Sequence, residues 1–290
     1  MLELRNPHSI LAALKVRPKA VKSVSIQTIG AGDVWDHVAH VARSNGVSVL
    51  VGSPPDSRRS EVRGSRDGRK KSHGRQGSRN GKEGRPSRDD RGTERTSAGM
   101  AIVEPPSPIP LEQLLNVSSP PISVPPRHSE DQKADRAQEF GIWLALDQVQ
   151  DPQNTGAIFR LAGFFGARGI IMTKDRSAPV NATVCDVATG GVEYVPFSTV
   201  ANLSQAIEKA QQNSIWILGT CERATESLYN VKRDRHWMII VGNEGSGMRR
   251  LTRERCDQLV ALPPSGPVPS LNVAAATSAC LAVLSHAPSV

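Results

Sequence analysis

The sequence contains few aromatic residues, and none of them lies in its most basic part. Phe, Trp and Tyr together make up 4% of the 290 residues. The segment 57–98, where positive charge is concentrated, has no aromatic side chain. Proteins that bind single-stranded nucleic acid by base stacking need such side chains within a basic groove. The composition therefore argues against a base-stacking platform in this segment.

Cysteine is also scarce, and no long apolar run is present. Cys185, Cys221, Cys256 and Cys280 lie far apart, with no Cys-x-x-Cys pair and no histidine at ligand spacing. This pattern argues against a zinc site or a disulfide framework and is typical of a reducing compartment. No apolar run approaches the roughly 18 residues of a membrane span. The basic N-terminus could pass as an organellar presequence, but it contains Glu3 and a proline, so we expect a cytoplasmic protein without metal or membrane anchor.

Positive charge is unevenly distributed along the chain. The formal net charge is +8, and residues 57–98 alone hold 14 Lys and Arg against 6 Asp and Glu. With only Val62 and Ala98 as aliphatic residues, this segment cannot offset an ordering entropy of about 1–2 kcal/mol per residue. We therefore expect a disordered basic insertion. It either tethers RNA through phosphate contacts that read no sequence, or it has no function.

The remaining sequence is predicted to form two folded parts. Residues 1–56 together with 99–115 have the patterns of a small α/β domain, and residues 116–140 are rich in Pro, Ser and charge, as linkers are. From 141 to 290, apolar strands alternate with helices, which is typical of a parallel sheet covered on both faces. Strands are expected at 142–146, 169–173, 215–219, 237–241 and 259–262, and helices near 156–166, 180–189, 201–212, 248–256 and 271–286. The tryptophans of these strands are interpreted as core residues: Trp143, Trp216 and Trp237.

The first polar junction between a strand and a helix runs from Asp147 to Arg160. In open α/β sheets, ligands bind at the carboxyl ends of strands. Asn154 is interpreted as the helix N-cap, and Arg160 lies about a turn and a half further along. A helix N-terminus and an arginine can bind phosphate together. A capped helix with a surface arginine explains the same spacing equally well, so both interpretations stay open.

Two further junctions are rich in glycine or proline. Residues 242–248 (GNEGSGM) follow an apolar strand, and their glycines allow a ligand to approach the backbone closely, although the spacing is not that of a dinucleotide-binding loop. Glu244 in this turn is more simply a structural hydrogen-bonding residue than a catalyst. Residues 262–274 form a proline-stiffened loop, in which Ser270 or Asn272 can cap the helix that follows.

In this order, the three junctions resemble the motifs of the SpoU (TrmH-type) branch of the SPOUT RNA 2'-O-ribose methyltransferases. The matching elements are Asn154-x-Gly156-x-x-x-Arg160, Gly242-Asn243-Glu244-Gly245-x-Gly247-Met248 and Ser270-Leu271-Asn272-Val273. Within the branch, residues 174–178, 181–183 and 249–254 are most similar to the bacterial 23S rRNA guanosine 2'-O-methyltransferases. Residues 8–51 and 99–115 weakly resemble the small N-terminal domain of those enzymes.

This resemblance implies a SPOUT-type α/β fold, with a parallel sheet that ends in a C-terminal trefoil knot, preceded by a small α/β (L7Ae-like) RNA-binding domain. It also implies a homodimer that binds S-adenosylmethionine in the knot loops. The implied cofactor contacts are Thr220, Gly242, Asn243, Glu244, Gly245, Leu262 and Leu271. The implied catalytic residues are Arg160, Asn154, Glu244, Ser270 and Asn272.

The implied reaction transfers a methyl group to the ribose 2'-hydroxyl of a guanosine in large-subunit rRNA and requires no metal. A guanidinium is a poor general base because its pKa exceeds about 12. We therefore expect Arg160 to bind the adjacent phosphate and orient the hydroxyl. Two alternatives stay open: a tRNA 2'-O-methyltransferase of the same branch, and a non-catalytic RNA-binding ribosome-assembly factor. The prolines before Ser270 and the basic insertion depart from the family pattern, so the geometry of the cofactor loop and the choice of target also stay open.

Overall fold

The computed structural model describes residues 1–27, 34–52, 99–118 and 140–285. The predicted basic insertion 57–98 and nearly all of the predicted linker 116–140 lie outside the described residues. Among the helices of the described part, none combines the length and hydropathy of a transmembrane span. In the same ranges, no group of His, Cys, Asp and Glu side chains is placed to hold a metal ion.

The first domain is a sheet of four strands with two helices. The strands are β1 (Leu2–Leu4), β2 (Val21–Ile26), β3 (Ser48–Val51) and β4 (Gly99–Val103), in the order β1-β4-β2-β3. Strand β4 is antiparallel to both of its neighbours, and β2 and β3 are parallel. The helices are α1 (Pro7–Val16) and α2 (Val34–Ser44), whose apolar faces are buried. The mixture of strands and helices agrees with the α/β pattern of the sequence, whereas β1 is too short for its periodicity to be recognised.

The second domain contains a sheet of seven parallel strands, which confirms the predicted parallel α/β architecture. Its strands are β5 (Ile142–Asp147), β6 (Gly169–Thr173), β7 (Phe197–Val200), β8 (Ile215–Thr220), β9 (Glu226–Ser227), β10 (His236–Gly242) and β11 (Gln258–Ala261). They are arranged in the order β7-β6-β5-β10-β8-β11-β9, and every neighbouring pair is parallel. Strands β7 and β9 were not predicted, because β7 contains two hydroxyl residues and β9 has only two residues in all.

Helices cover both faces of this sheet, as the continuous apolar strands predicted. They are α3 (Leu111–Leu114), α4 (Pro152–Phe165), α5 (Ala182–Val187), α6 (Gly191–Tyr194), α7 (Leu203–Gln212), α8 (Arg250–Glu254) and α9 (Val273–Ser285). Alternate side chains of β5 point to opposite faces. Leu144 therefore lies in one core with α4 and α9, whereas Trp143 lies in a second core with α3 and α7.

Two sequence-based interpretations are wrong. The N-cap of α4 is Asp151, whose carboxylate accepts a hydrogen bond from the Gln153 amide at 2.8 Å, so Asn154 lies inside the helix. Trp216 is not a core residue, because 44% of its surface is exposed. Its ring packs against Arg235, whose guanidinium carbon lies 4.2 Å from the ring centroid. Trp143 and Trp237 are buried, as predicted.

The two domains are in direct contact through α1, α5 and α6. The Arg17 guanidinium, just after α1, donates two hydrogen bonds to the Glu193 carboxylate of α6, at 2.6 and 2.8 Å. The Asp186 carboxylate of α5 accepts hydrogen bonds from the backbone amides of Arg5 and Asn6, each at 3.0 Å. Helix α3 packs in the core of the second domain, although the sequence analysis assigned its residues to the first domain. The boundary between the domains at residue 115 stays a prediction.

Candidate active site

A chain of three hydrogen-bonded side chains joins the three polar junctions at one edge of the sheet. The Asn154 amide nitrogen donates to the Glu244 carboxylate at 2.9 Å. The Asn272 amide nitrogen donates to the Asn154 side-chain oxygen at 2.8 Å. Glu244, Asn154 and Asn272 come from three segments separated by 90 and 118 residues in the sequence. The junctions are therefore parts of one site. We call the three hydrogen-bonded side chains the three-residue relay.

The glycine-rich turn is held in shape by Asn243. Its side-chain oxygen accepts hydrogen bonds from the amides of Gly245 and Ser246, at 3.0 and 3.1 Å. Its amide nitrogen donates to the carbonyl of Gln148 in the first junction, at 3.0 Å. A Cβ atom at Gly242 would lie 2.2 Å from the Met248 nitrogen, so only glycine fits where the turn folds back. The turn is thus a rigid element whose position is set by the neighbouring junction.

An ion pair between a buried carboxylate and a partly exposed arginine, which was not predicted, also connects these two junctions. Asp147, at the end of β5, is fully buried and accepts hydrogen bonds from the Arg249 amide at 3.0 Å and from its guanidinium at 2.7 Å. A buried carboxylate is tolerated only where such partners compensate for the lost hydration. The sequence signal was an Asp at the end of an otherwise apolar strand, IWLALD.

The third junction is more exposed than the other two. Asn272 caps α9, because its side-chain oxygen accepts hydrogen bonds from the amides of Ala274 and Ala275 at 2.8 and 3.4 Å. This confirms the capping role predicted for this junction. Ser270 is exposed and lies outside the relay. Leu271 is 54% exposed, although large aliphatic side chains are usually covered.

The residues predicted to contact a cofactor lie at the carboxyl ends of three neighbouring strands. Thr220 ends β8, Gly242 ends β10, and Leu262 follows β11 directly. The Thr220 hydroxyl donates to the Ile240 carbonyl of β10 at 3.0 Å, which fixes the orientation of its side chain. Ligands of open α/β sheets bind at this edge. The structure therefore brings the predicted cofactor contacts and the relay to the same edge of the sheet.

The Glu244 side chain is held in its ionised form. Partial burial would raise the pKa of its carboxyl group, but hydrogen bonds from the Asn154 side chain and from the amides of Glu244, Asp151 and Gln150 outweigh this effect and lower the pKa. A lowered pKa makes Glu244 an acceptor of hydrogen bonds at neutral pH.

Comparison with known proteins identifies the family of this domain. Residues 141–282 match the model of the SpoU rRNA methylase family. The second domain is a SpoU methylase domain. Two curated relatives are both named 23S rRNA (guanosine-2'-O-)-methyltransferase RlmB. The one from Pseudomonas aeruginosa is 46% identical over 147 residues, which cover 51% of this chain and 59% of the relative. The one from Vibrio parahaemolyticus is 48% identical over 143 residues, which cover 49% and 58%. The chain thus matches less than two thirds of the length of these relatives.

Solved structures of SpoU proteins share the fold over nearly the whole chain. The SpoU methyltransferase AviRb from Streptomyces viridochromogenes superposes with a TM-score of 0.65 at 18% identity, covering 98% of this chain and 88% of that protein. An AdoMet-bound rRNA methyltransferase from Sinorhizobium meliloti gives a TM-score of 0.62 at 18% identity, with coverages of 98% and 86%. At this level of identity the likeness concerns the fold alone. It extends through both domains.

Arg160 of the SpoU domain stands apart from the relay. It lies on the solvent-facing side of α4, one turn before the exposed Phe164. Within the described ranges, its guanidinium makes no hydrogen bond or ion pair. A charged group on a well-ordered helix without an internal partner contributes little to stability. Arg160 is therefore accessible to a ligand, but the same exposure is expected of a surface arginine on a capped helix, so both interpretations stay open.

Proposed function

We propose that this protein is an S-adenosylmethionine-dependent RNA methyltransferase that modifies the ribose 2'-hydroxyl of a guanosine in large-subunit rRNA. The observation that carries the proposal is the relay of Glu244, Asn154 and Asn272, which joins the three SpoU junctions into one site. The curated relatives named above support the choice of substrate. The presence of Arg160 together with Asn154, Glu244 and Asn272 disfavours a scaffold that has lost catalysis.

S-adenosylmethionine is the proposed methyl donor, and the residues at the sheet edge fit it. The AviRb protein has a structure in complex with the cofactor AdoMet. In this chain, the half-exposed Leu271 and the partly exposed Leu262 offer apolar contacts beside the exposed backbone of the glycine turn, a combination that suits a nucleoside. The residues that would hold it are Thr220, Gly242, Asn243, Glu244, Gly245, Leu262 and Leu271. When bound, the cofactor supplies an electrophilic methyl group.

The chain's own residues would then orient the nucleophile. We assign Arg160 to the phosphate next to the target nucleotide, where its planar guanidinium makes two parallel hydrogen bonds and fixes the 2'-hydroxyl. Asn154, Glu244 and Asn272 keep the three loops in register, and the exposed Ser270 hydroxyl is a further hydrogen-bonding group at the pocket. The proton leaves to the phosphate or to water, since a guanidinium does not accept it. No metal is needed for these steps.

A homodimer is part of the proposal because of an exposed aromatic side chain next to Arg160. Phe164 is 79% exposed and lies one helical turn from Arg160 on the same face of α4. A second copy that covered Phe164 would lie beside Arg160 and help to enclose the RNA. Light scattering of the purified protein is expected to give twice the mass of 31.2 kDa. A monomer at micromolar concentration would contradict this part of the proposal.

The finer features of the fold are proposed on the same basis. Strand β11 lies between β8 and β9, and the chain then returns so that α9 packs directly against α4 on one face of the sheet, which is compatible with a C-terminal trefoil knot. We assign the first domain, with its four-stranded sheet and two helices, to L7Ae-like RNA binding. The proposed substrate also places the protein in the cytoplasm.

A methyl-transfer assay with mapping of the product tests the proposed function. The full chain is incubated with S-adenosylmethionine labelled in the methyl group and with unmodified large-subunit rRNA or tRNA transcripts. Label at the 2'-oxygen of one rRNA guanosine is the expected result. Label in tRNA alone would favour the tRNA alternative. Absence of S-adenosylmethionine binding in a calorimetric titration would favour the ribosome-assembly alternative.

Substitutions at Asn272 separate its capping role from its role in the relay. Asn272→Asp keeps a good N-cap but loses the amide that donates to Asn154. We expect methyl transfer to fall at least tenfold with little change in Tm, because a neutral hydrogen bond inside the site contributes about 1 kcal/mol and its loss also displaces Asn154. Asn272→Ala loses both roles and should also destabilise the protein by about 1 kcal/mol. Equal activity of wild type and Asn272→Asp would show that the relay does not matter for methyl transfer.

A further inference from the structure

The loop after β6 holds an arginine in a strained backbone conformation. Arg176 has a φ of +55°, a region that side chains with a Cβ atom adopt only at an energetic cost. The described residues include three more non-glycine residues of this kind, Gln148, Thr189 and Ser214. Gln148 lies in the candidate site, where its carbonyl binds the side chain of Asn243. Strain of this kind persists where the surrounding structure enforces it, and it is concentrated at ligand-binding sites.

The strained conformation is fixed by contacts at both ends of the loop. The Lys174 amide donates to the Val200 carbonyl of β7, and the Ala178 amide donates to the Val149 carbonyl, each at 2.9 Å. Inside the loop, the Thr173 hydroxyl contacts the Ser177 hydroxyl and donates to the Asp175 carbonyl at 3.2 Å. We call residues 174–177 the anchor loop. Its backbone is well fixed, whereas the side chains at its tip, Lys174, Asp175 and Arg176, point into solvent.

The anchor loop lies beside the candidate active site. Strand β6 is the direct neighbour of β5, and the loops that follow them leave the same edge of the sheet. The bond from Ala178 to Val149 attaches the anchor loop to the junction that carries Asn154 and, further along α4, Arg160. Two cations, Lys174 and Arg176, are therefore presented next to the proposed position of the RNA. Within the described part of the chain, neither side chain has an ion-pair or hydrogen-bond partner.

We propose that Arg176, assisted by Lys174, binds a phosphate of the substrate RNA next to the methylated nucleotide. This inference rests on the proposed function and adds a second phosphate contact to that of Arg160. Ser214 is equally exposed and strained but lies at the opposite edge of the sheet, whereas the fixed backbone at Arg176 presents an exposed guanidinium beside the candidate site. The planar guanidinium suits a phosphate, to which it can make two hydrogen bonds. Because the anchor loop precedes the first turn of α5, this contact is separate from the loops that would hold the cofactor.

The substitution Arg176→Gly gives a test in which stability and RNA binding change differently. Glycine adopts a positive φ without strain, so the Tm is expected to equal that of the wild type or to exceed it by up to about 3 °C. The dissociation constant for an unmodified large-subunit rRNA transcript should rise about tenfold or more, with S-adenosylmethionine affinity unchanged. The slope of log K against log salt should become shallower by about one. Arg176→Lys keeps the charge and should retain the wild-type salt slope with an intermediate affinity.

Ser214→Gly is the matched control for the loss of strain. Ser214 has a φ of +59° and is exposed, but it precedes β8 and so lies at the opposite edge of the sheet. Its replacement should affect the Tm as Arg176→Gly does and leave RNA affinity unchanged. If Arg176→Gly binds the transcript as tightly as the wild type does, the anchor loop is not a phosphate contact, whatever the enzyme activity. If the wild type methylates no RNA but Arg176→Gly still loses RNA affinity, the proposed function is wrong, and the phosphate contact of the anchor loop is supported.

Discussion

The substitution Arg160→Ala is expected to lower kcat for RNA methylation by about a hundred- to a thousandfold, while the Tm and the affinity for S-adenosylmethionine stay unchanged. The guanidinium is exposed and has no partner in the described part of the chain, so its removal costs no internal interaction. Loss of a charged group that aligns the reacting atoms typically lowers rates by this amount. The measurement is single-turnover methyl transfer at saturating RNA and cofactor, next to thermal unfolding of the same samples.

Two further variants show whether the effect at Arg160 is specific. Arg255 also lies on the protein surface, but its ion pair with Glu208 places it beside α7, on the other face of the sheet. Arg255→Ala should therefore keep the wild-type kcat. Arg160→Lys retains the charge but not the planar pair of donors, and we expect it to recover only a small part of the rate. Nearly full turnover by Arg160→Lys would refute the two-hydrogen-bond contact with phosphate.

The substitution Arg17→Ala is expected to lower the free energy of unfolding by about 3 kcal/mol. The Glu193 side chain is only 5% exposed and that of Arg17 is 24% exposed, so the pair is largely shielded from water. Arg17 also donates to the Glu104 carbonyl at 2.7 Å. Removing one partner of such a pair leaves the other charge buried without compensation, which costs about 3–5 kcal/mol. Urea unfolding followed by circular dichroism at pH 7 measures the change.

An exposed ion pair of the same domain provides the control for Arg17. Lys22 and Glu104 are 2.7 Å apart, but their side chains are 42% and 49% exposed. Lys22→Ala should cost less than about 0.5 kcal/mol, because water screens such a pair. In the double variant Arg17→Met with Glu193→Leu, most of the lost stability should return, since two apolar groups can replace a buried pair. Similar losses in Arg17→Ala and Lys22→Ala would show that burial of the pair is unimportant.

The edge of the sheet that carries the site could be predicted from the sequence, but the pairing within the site could not. Apolar strands followed by polar, glycine-rich turns indicated the carboxyl ends of β5, β10 and β11. Asn154 was interpreted as an N-cap because asparagine is common there, yet the preceding Asp151-Pro152 pair is a better start for a helix. With the cap supplied by Asp151, the Asn154 side chain is left to connect Glu244 and Asn272.

Contacts between distant segments explain the other differences. The exposure of Trp216 could not be read from a continuous apolar strand, in which both faces look alike. The same holds for the pair of Arg17 and Glu193, whose members are separated by 176 residues in the sequence. A local sequence pattern does not predict which distant side chain will form an ion pair with a given charged residue.

The position of Ile26 in β2 has a consequence for the evolution of the basic segment. The Gly52 amide, after β3, donates to the Ile26 carbonyl at 3.0 Å, and Gly99, at the start of β4, is paired with Ile26 on the other side. Gly52 and Gly99, which flank residues 53–98 in the sequence, therefore lie on either side of one residue, about two strand spacings (~10 Å) apart. Doubling the length of a chain segment that connects two fixed points costs only about 0.6 kcal/mol. The length and the charge of the basic segment can therefore change in evolution with little effect on the stability of the first domain.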